Sequence, residues 1–313
     1  MKIFSIVVPV YQNERNLADT IPALLSLAEK LADYRFEIIF VDDGSTDRSR
    51  ELILDAARQY PDQIRVVLLT RNFGQTAATQ AGLRYASGHC VGIISCDLQE
   101  PHEMFIDMVH AWEQGKKFVI GERVDRAEGY WHQLLSGVYW YLVRWFAFPD
   151  YPSMGYDFCL LDRQVVEDVN LINEKNSSIF VLIYWFGYQP FRLPIRRGLR
   201  FKGRSQWRFW KKVHFTLDTL IAFTYLPART ITFTALISAS LCIIYLVVIV
   251  VQWFLIRAAP PGWVTLAGLM LLIGAAILFS LGIVSEYLLR ILHETRKRPP
   301  YVVEKIVSKR FSE

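Results

Sequence analysis

Cysteine is scarce in this chain of 313 residues: four in all (Cys90, Cys96, Cys159, Cys242), far apart and with no CxxC pair. That excludes a disulfide scaffold and a thiolate zinc site, and it suits reduced core thiols in the cytoplasm. A GxGxxG fingerprint is missing, which excludes the usual nicotinamide-binding turn. Net charge is only +5, so no strong field draws the whole molecule to nucleic acid. Charge vanishes in two places, Thr230 to Ile256 and Trp263 to Ser285. Ile3–Val10 is apolar but too short for a secretory leader, and no cleavage site follows it.

What is present in excess is apolar side chain. Hydrophobic residues make up 52% and mean hydropathy is +0.21, which excludes intrinsic disorder and places part of the chain in lipid. Each uncharged run exceeds the ~20 residues that cross ~30 Å of hydrocarbon at ~1.5 Å per residue. The link Arg257–Gly262 is short, so the two spans are expected to form an antiparallel hairpin. Arg204, Arg208, Lys211, Lys212 and Arg229 precede the first span, and Arg290, Arg296, Lys297 and Arg298 follow the second. The link offers only Arg257. Positive charge collects on the cytoplasmic side, so both termini are expected there.

Ahead of the spans, strand and helix alternate. Ile3–Val10, Phe36–Val41, Ile64–Leu69, Cys90–Cys96 and Lys117–Ile120 read as buried strands. Helical spacing fills the gaps, with helices expected near 47–60, 75–87 and 102–114. This pattern predicts an α/β fold with a parallel sheet, right-handed crossovers and helices on both faces. Ligands bind beyond the carboxyl ends of such strands. The turns Tyr11–Glu14, Asp42-Asp43 and Asp97–Gln99 would meet there. Asp97 and Gln99, two apart in extended chain, would face the same way and share a hard cation, Mg2+ or Mn2+. Asp42 and Asp43 are placed to accept hydrogen bonds from a ribose or base edge. Asp47 is read as a turn former or helix cap. Between Arg192 and Lys212 stand nine basic residues and no acid, with Trp207, Phe209 and Trp210 among them. Single-strand grooves combine these side chains too. Beside a cytoplasmic membrane entry, contact with anionic lipid explains them better.

Pro9–Glu14, Val41–Asp47, Arg71-Asn-Phe-Gly74 and Asp97–Pro101 resemble the motif series of family 2 glycosyltransferases. With the membrane hairpin, the chain is most similar to the polyprenyl-phosphate branch, dolichol-phosphate-mannose-synthase-like and of the bactoprenol glucosyltransferase type. The resemblance implies a GT-A-like nucleotide-sugar-binding sheet, a nucleotide-sugar donor such as UDP-glucose, a divalent metal and a polyisoprenyl-phosphate acceptor. It implies that Pro9, Tyr11, Glu14, Asp42, Asp43 and Gly74 hold the nucleotide, and that Asp97 and Gln99 hold metal and diphosphate. Gly155–Arg163 resembles the stretch that brings an acid to the reaction centre, with Asp157 the candidate and Asp162 structural. Arg200–Ser205 resembles the phosphate-binding loop: Arg200, Lys202 and Ser205 on phosphate, Gly203 as permissive backbone, Arg123 as a further basic candidate. The implied reaction is inverting transfer of a hexose to polyprenyl phosphate at the bacterial inner membrane, by a homotetramer. Relatives usually carry Asp-x-Asp where this chain has Ser95-Cys-Asp97, which lowers the charge offered to the cation.

The expected division is a catalytic domain over 1–129, an acceptor and interface segment over 130–228 with an aromatic interfacial helix near Tyr130–Phe148, two spans over 229–290 and a basic tail over 291–313. Two other readings compete. A processive polysaccharide synthase would need a Gln-x-x-Arg-Trp stretch and more spans; Gln206-Trp-Arg208 does not match. A non-catalytic sensor of sugar nucleotide or lipid phosphate draws support only from Ser95.

Overall fold

A computed structural model describes residues 1–124, 144–145, 150–152, 156–172, 178–196, 226–256, 262–295 and 298–308. The expected interfacial helix and the loop Arg200–Ser205 lie outside the described residues, apart from positions 144 and 145 of the former. Contacts divide the chain into two units, Met1–Thr219 with Pro299–Glu313, and Leu220–Arg298.

The first unit is an eight-stranded sheet with helices packed on it. The strands are β1 (Lys2–Val10), β2 (Tyr34–Asp42), β3 (Ile64–Leu69), β4 (Cys90–Ile93), β5 (Phe118–Arg123), β6 (Cys159–Asp162), β7 (Phe191–Ile195) and β8 (Val303–Val307), in the order β7-β5-β6-β4-β1-β2-β3-β8. Helices α1 (Glu14–Lys30), α2 (Ser49–Gln59), α3 (Gln75–Tyr85) and α4 (Met104–Glu113) fall between the first five strands, and α5 (Arg163–Leu171) and α6 (Ile179–Trp185) between β6 and β7. The β1–β4 core is parallel, as the alternation predicts. The sheet as a whole is mixed, which corrects the expectation of a parallel one. β6 inserts antiparallel between β4 and β5, and β8 adds antiparallel to β3. The basic tail, expected as a separate segment, therefore supplies a strand of the sheet. Arg50 on α2 fastens it with two bonds to Glu304, at 3.0 and 2.5 Å.

β1 is central and buried from Phe4 to Val8, so a proline inside it needs an explanation. The Val7 carbonyl accepts from Ile94 on the β4 side, and the Val10 carbonyl from Asp43 on the β2 side. Alternation turns Pro9 toward β4, whose last pair with β1 is Val7 with Ile93. Its missing N–H thus falls where the ladder has ended. Phe4, Phe36, Phe105 and Phe158 tie α4 to the sheet through edge contacts, with centroids 4.8 to 5.5 Å apart. On the other face α3 presents Ala77, Ala78, Ala81 and Gly82, all buried. A Cβ on Gly82 would stand 2.2 Å from Val7 Cγ1, so the helix lies against β1 at backbone distance.

At the amino-terminal edge a buried polar group joins three strands. Ser5 Oγ donates to Glu37 at 2.5 Å, the Ser87 amide donates to the same carboxylate at 2.9 Å, and Arg65 pairs with it at 3.2 Å. Glu37 is wholly buried. Cys90, Cys96 and Cys159 are free and buried. Burial raises all three thiols well above the ordinary value, which suits the reduced core role.

The second unit consists of two long helices that touch each other, α7 (Leu226–Ile256, 31 residues) and α8 (Trp263–Thr295, 33 residues). Among the described residues one stretch is long and apolar enough to cross a bilayer, Gly268–Ser285, with mean hydropathy 2.3; the apolar part of α7 that meets the same test of composition is shorter, Phe233–Tyr245. Nothing described comes within 4 Å of a Cβ built at Gly268, Gly274 or Gly282.

Candidate active site

The carboxyl edge of β1, β2 and β4 carries three turns, and hydrogen bonds bind the first two together. After β1, Gln12 takes a left-handed conformation (φ 52°), and its amide donates to Ser45 Oγ at 3.1 Å. The Asn13 amide donates to Ser49 Oγ at 2.8 Å, and the Glu14 amide to Asp47 at 3.2 Å. In return the Arg48 amide donates to the Glu14 carboxylate at 3.1 Å. Asp47 also accepts from the Ser49 amide at 3.1 Å, the turn-forming role among the two read from sequence; the cap position itself is Arg48. Glu14, expected on the nucleotide, is thus engaged in bracing the turn that follows β2. Glu14, Ser45, Asp47 and Arg48 rim an open pocket of about 630 Å3 with Thr46, Arg50 and Arg58.

Asp43 is the hub of the second turn. It is 3% exposed, and its two oxygens accept the amides of Phe73 at 2.7 Å and Gly74 at 2.9 Å. The chain of Arg71–Gly74 is thereby bound to β2. Gly44 makes the approach possible: its φ is +70°, and a Cβ there would lie 2.5 Å from the Arg71 carbonyl carbon. Burial raises the Asp43 carboxyl above the ordinary value despite those two amides. Burial also raises Asp42, against an opposing hydrogen bond from Ser45, whose amide reaches it at 3.2 Å. Pro9 and Tyr11 stand partly exposed at the same edge.

The third turn departs from the expected geometry. β4 ends at Ile93 rather than Cys96, and the Leu98 amide donates to the Ser95 carbonyl at 3.3 Å. Leu98 has φ 47°, so Asp97 and Gln99 are not related by extended alternation. Thr20 of α1 holds the turn from behind, donating to the Cys96 carbonyl at 2.7 Å. Asp97 is half-buried and Gln99 buried. Among the described residues no group of three or more His, Cys, Asp or Glu gathers as a ready-made metal cage. One carboxylate and one amide oxygen are hard donors that fit Mg2+ or Mn2+ whose remaining positions are filled by phosphate oxygens. Such an ion, when bound, neutralises charge on a leaving diphosphate.

Where β5 and β6 meet the same edge, the structure brings together two candidates that sequence reasoning placed apart. Arg123 at the end of β5 pairs with Asp157, just before β6, at 2.5 Å. The same Nη2 reaches Glu100 Oε1 at 3.4 Å. Glu100 was not among the sequence candidates. The signal was weak but present: it is an acid inside the Asp97–Pro101 motif. Asp162, read as structural, accepts from Trp112 Nε1 at 2.7 Å and from the Gln164 amide at 2.9 Å, capping α5. Arg200, Lys202, Gly203 and Ser205 lie outside the described residues.

Comparison with known proteins identifies the family. The profile of glycosyl transferase family 2 matches residues 5–169. An uncharacterized glycosyltransferase of Synechocystis is 34% identical over 96% of this chain and 94% of its own length. A prophage bactoprenol glucosyl transferase homolog of Escherichia coli is 30% identical over 98% of this chain and 99% of its own, and the bactoprenol glucosyl transferase of Shigella phage SfII is 30% identical over 97% and 98%. Solved structures resemble it only loosely: the glucosyl-3-phosphoglycerate synthase of Mycobacterium tuberculosis with Mn2+ and UDP-glucose, 18% identical over 66% of this chain and 73% of its own, gives a TM-score of 0.48. The chain is a glycosyltransferase and belongs to glycosyl transferase family 2.

Proposed function

We propose that the protein transfers glucose from UDP-glucose to a polyisoprenyl phosphate at the cytoplasmic face of a bacterial membrane, with inversion at the anomeric carbon. One observation carries this reading. The relatives named bactoprenol glucosyl transferases match nearly the whole chain, the long apolar helices included, and not the sheet alone. The mixed sheet binds a polar donor at its carboxyl edge. The acceptor's hydrocarbon cannot leave the bilayer, so α7 and α8 as a membrane hairpin would keep the site at the interface. The basic residues flanking that hairpin support cytoplasmic termini.

In this mechanism Asp42 and Asp43 accept hydrogen bonds from the nucleoside, with Pro9, Tyr11 and Gly74 shaping its pocket. Asp97 and Gln99 would hold a divalent cation beside the diphosphate, and that ion would supply charge neutralisation there. Arg200, Lys202 and Ser205 would hold the acceptor phosphate. Its oxygen attacks the anomeric carbon as the bond to the diphosphate breaks on the opposite side. A phosphomonoester, with its second pKa near ~6, is already mostly dianionic at neutral pH and needs little proton removal. Asp157 therefore serves chiefly to orient the sugar or the acceptor. Assembly of the subunits as a homotetramer belongs to the same proposal. No nucleic acid takes part.

The test is transfer from a panel of radiolabelled nucleotide sugars to undecaprenyl phosphate with Mg2+ or Mn2+. Label from UDP-glucose should enter the organic phase as a single-sugar lipid. Label in insoluble polymer, or label that stays in water with every donor, refutes the proposal.

A further inference from the structure

The geometry points to Glu100 as a positioning residue for the transfer reaction, acting through Arg123 on Asp157. This inference rests on the proposed role of Asp157 at the reaction centre. Three observations carry it. The Glu100 side chain is wholly buried, and a buried carboxylate is retained only where its charge is compensated. A compensating partner is Arg123, whose Nη2 lies 3.4 Å from Glu100 and 2.5 Å from Asp157. Glu100 also belongs to the turn that presents Asp97 and Gln99, which a Thr20 bond to the Cys96 carbonyl fixes to α1. One guanidinium therefore links the diphosphate turn to the acid that faces the sugar. Arg123 is 16% exposed and Asp157 27%, so the end of this relay opens toward solvent while its root is closed.

The physical logic is restraint. A guanidinium has planar, fixed donors, and a second carboxylate on it removes the freedom to swing about the first. Without Glu100, Arg123 would keep its bond to Asp157 but lose the contact that ties it to the turn after β4. The pair would then move together, and Asp157 would leave the position set relative to Asp97. Displacements of this kind lower turnover far more than donor binding, since reaction geometry is sensitive to shifts of about 1 Å.

The experiment uses the full-length protein in nanodiscs with UDP-glucose and undecaprenyl phosphate. Wild type is compared with Glu100→Gln, Glu100→Asp, Asp157→Asn and the double variant Glu100→Gln/Asp157→Asn. Glu100→Gln should lower kcat by about 30-fold, the range in which misplacement of a reacting group acts. Its KM for UDP-glucose should stay within about twofold, because uniform binding is untouched. The double variant should be no slower than Asp157→Asn alone. Losses that multiply, or a change confined to KM, overturn the proposal. A second readout needs no turnover: the Arg123 guanidinium N–H signals in an arginine-labelled NMR spectrum, assigned by their loss in Arg123→Lys. They should be sharp in the wild type and broadened in Glu100→Asp, whose shorter side chain folds with less disturbance; sharp signals in that variant overturn the proposal. If the wild type transfers no sugar, the proposed function fails while this spectrum still decides the role of Glu100.

Discussion

Asp43→Asn separates a ligand-binding acid from a structural clamp. The carboxylate accepts two backbone amides, at 2.7 and 2.9 Å. Hydrogen bonds to a charged group contribute about 1.5–3 kcal/mol each. Asparagine keeps one acceptor oxygen and turns an N–H toward the other amide. On that count alone the substitution would cost the fold several kcal/mol. Burial opposes it: the Asp43 carboxyl sits above its ordinary value, so the cost of burying the charge outweighs the two amides. Removing the charge relieves that cost. The two effects oppose each other, so stability should fall by less than the several kcal/mol that the lost hydrogen bonds alone would cost. Donor binding has no such offset. Losing one charge-assisted bond of about 2 kcal/mol weakens it by about 30-fold. The sign of the pH effect follows. When folded, Asp43 takes up its proton at a higher pH than an ordinary carboxylate, so affinity for UDP-glucose should fall on acidification before the usual carboxylate range is reached. The cost of its ionisation to the fold is present above the raised value and fades as pH falls through it. Calorimetric titration with UDP-glucose and Mn2+ across pH 4.5 to 8, beside thermal unfolding, measures both. An Asn variant that unfolds readily yet binds donor normally, with an unchanged pH profile, would refute the reasoning.

Three other outcomes follow from the same geometry. Arg65→Met strands the buried Glu37 carboxylate at the amino-terminal edge and should destabilise by about 3–5 kcal/mol in urea unfolding, with KM for the donor unchanged because the site lies at the opposite edge. Gly82→Ala drives a methyl group into Val7 and should cost about 1–3 kcal/mol by the same assay. Chelation with EDTA should abolish transfer and excess Mn2+ restore it, while Ser95→Asp, by adding a second carboxylate to the turn, should lower the Mn2+ concentration for half-maximal activity by about tenfold; an unchanged metal requirement would count against the Asp97 assignment.

The parallel core was legible because its strands are uniform apolar runs that end in polar turns, as in Ile3–Val10 and Ile64–Leu69. What escaped were short strands whose partners are distant. Cys159–Asp162 pairs with β4 and β5, and Val303–Val307 pairs with β3 from beyond the helices. The charged run Val303-Glu-Lys-Ile-Val307 shows no strong alternation, because this edge strand is exposed from Glu304 to Ile306 and protects itself with charge. Asp43, Asp97 and Asp157 could be named as candidates from strand ends and resemblance. Their partners could not: that Arg123 meets Asp157 depends on β6 lying beside β5, an adjacency no local pattern encodes. The same limit explains the turn at Leu98, where a left-handed residue defeats the rule of alternate faces.

That inserted strand decides which loops gather at the carboxyl edge of the sheet. β4 and β5 point the same way, each antiparallel to β6 between them, so the start of β6 lies at the carboxyl ends of both neighbours. The turn after β4 carries Asp97, Gln99 and Glu100; β5 ends in Arg123; Asp157 leads into β6. Reversing one strand therefore brings an entry loop to the edge where only exit loops would otherwise gather. A fully parallel sheet would deliver the 150s loop to the opposite edge, beside Glu37 and Arg65, and Asp157 could not reach Arg123. The antiparallel insertion is thus the feature that lets the turn after β4 and the loop before β6 share a single guanidinium, and it does so with strands of only four residues.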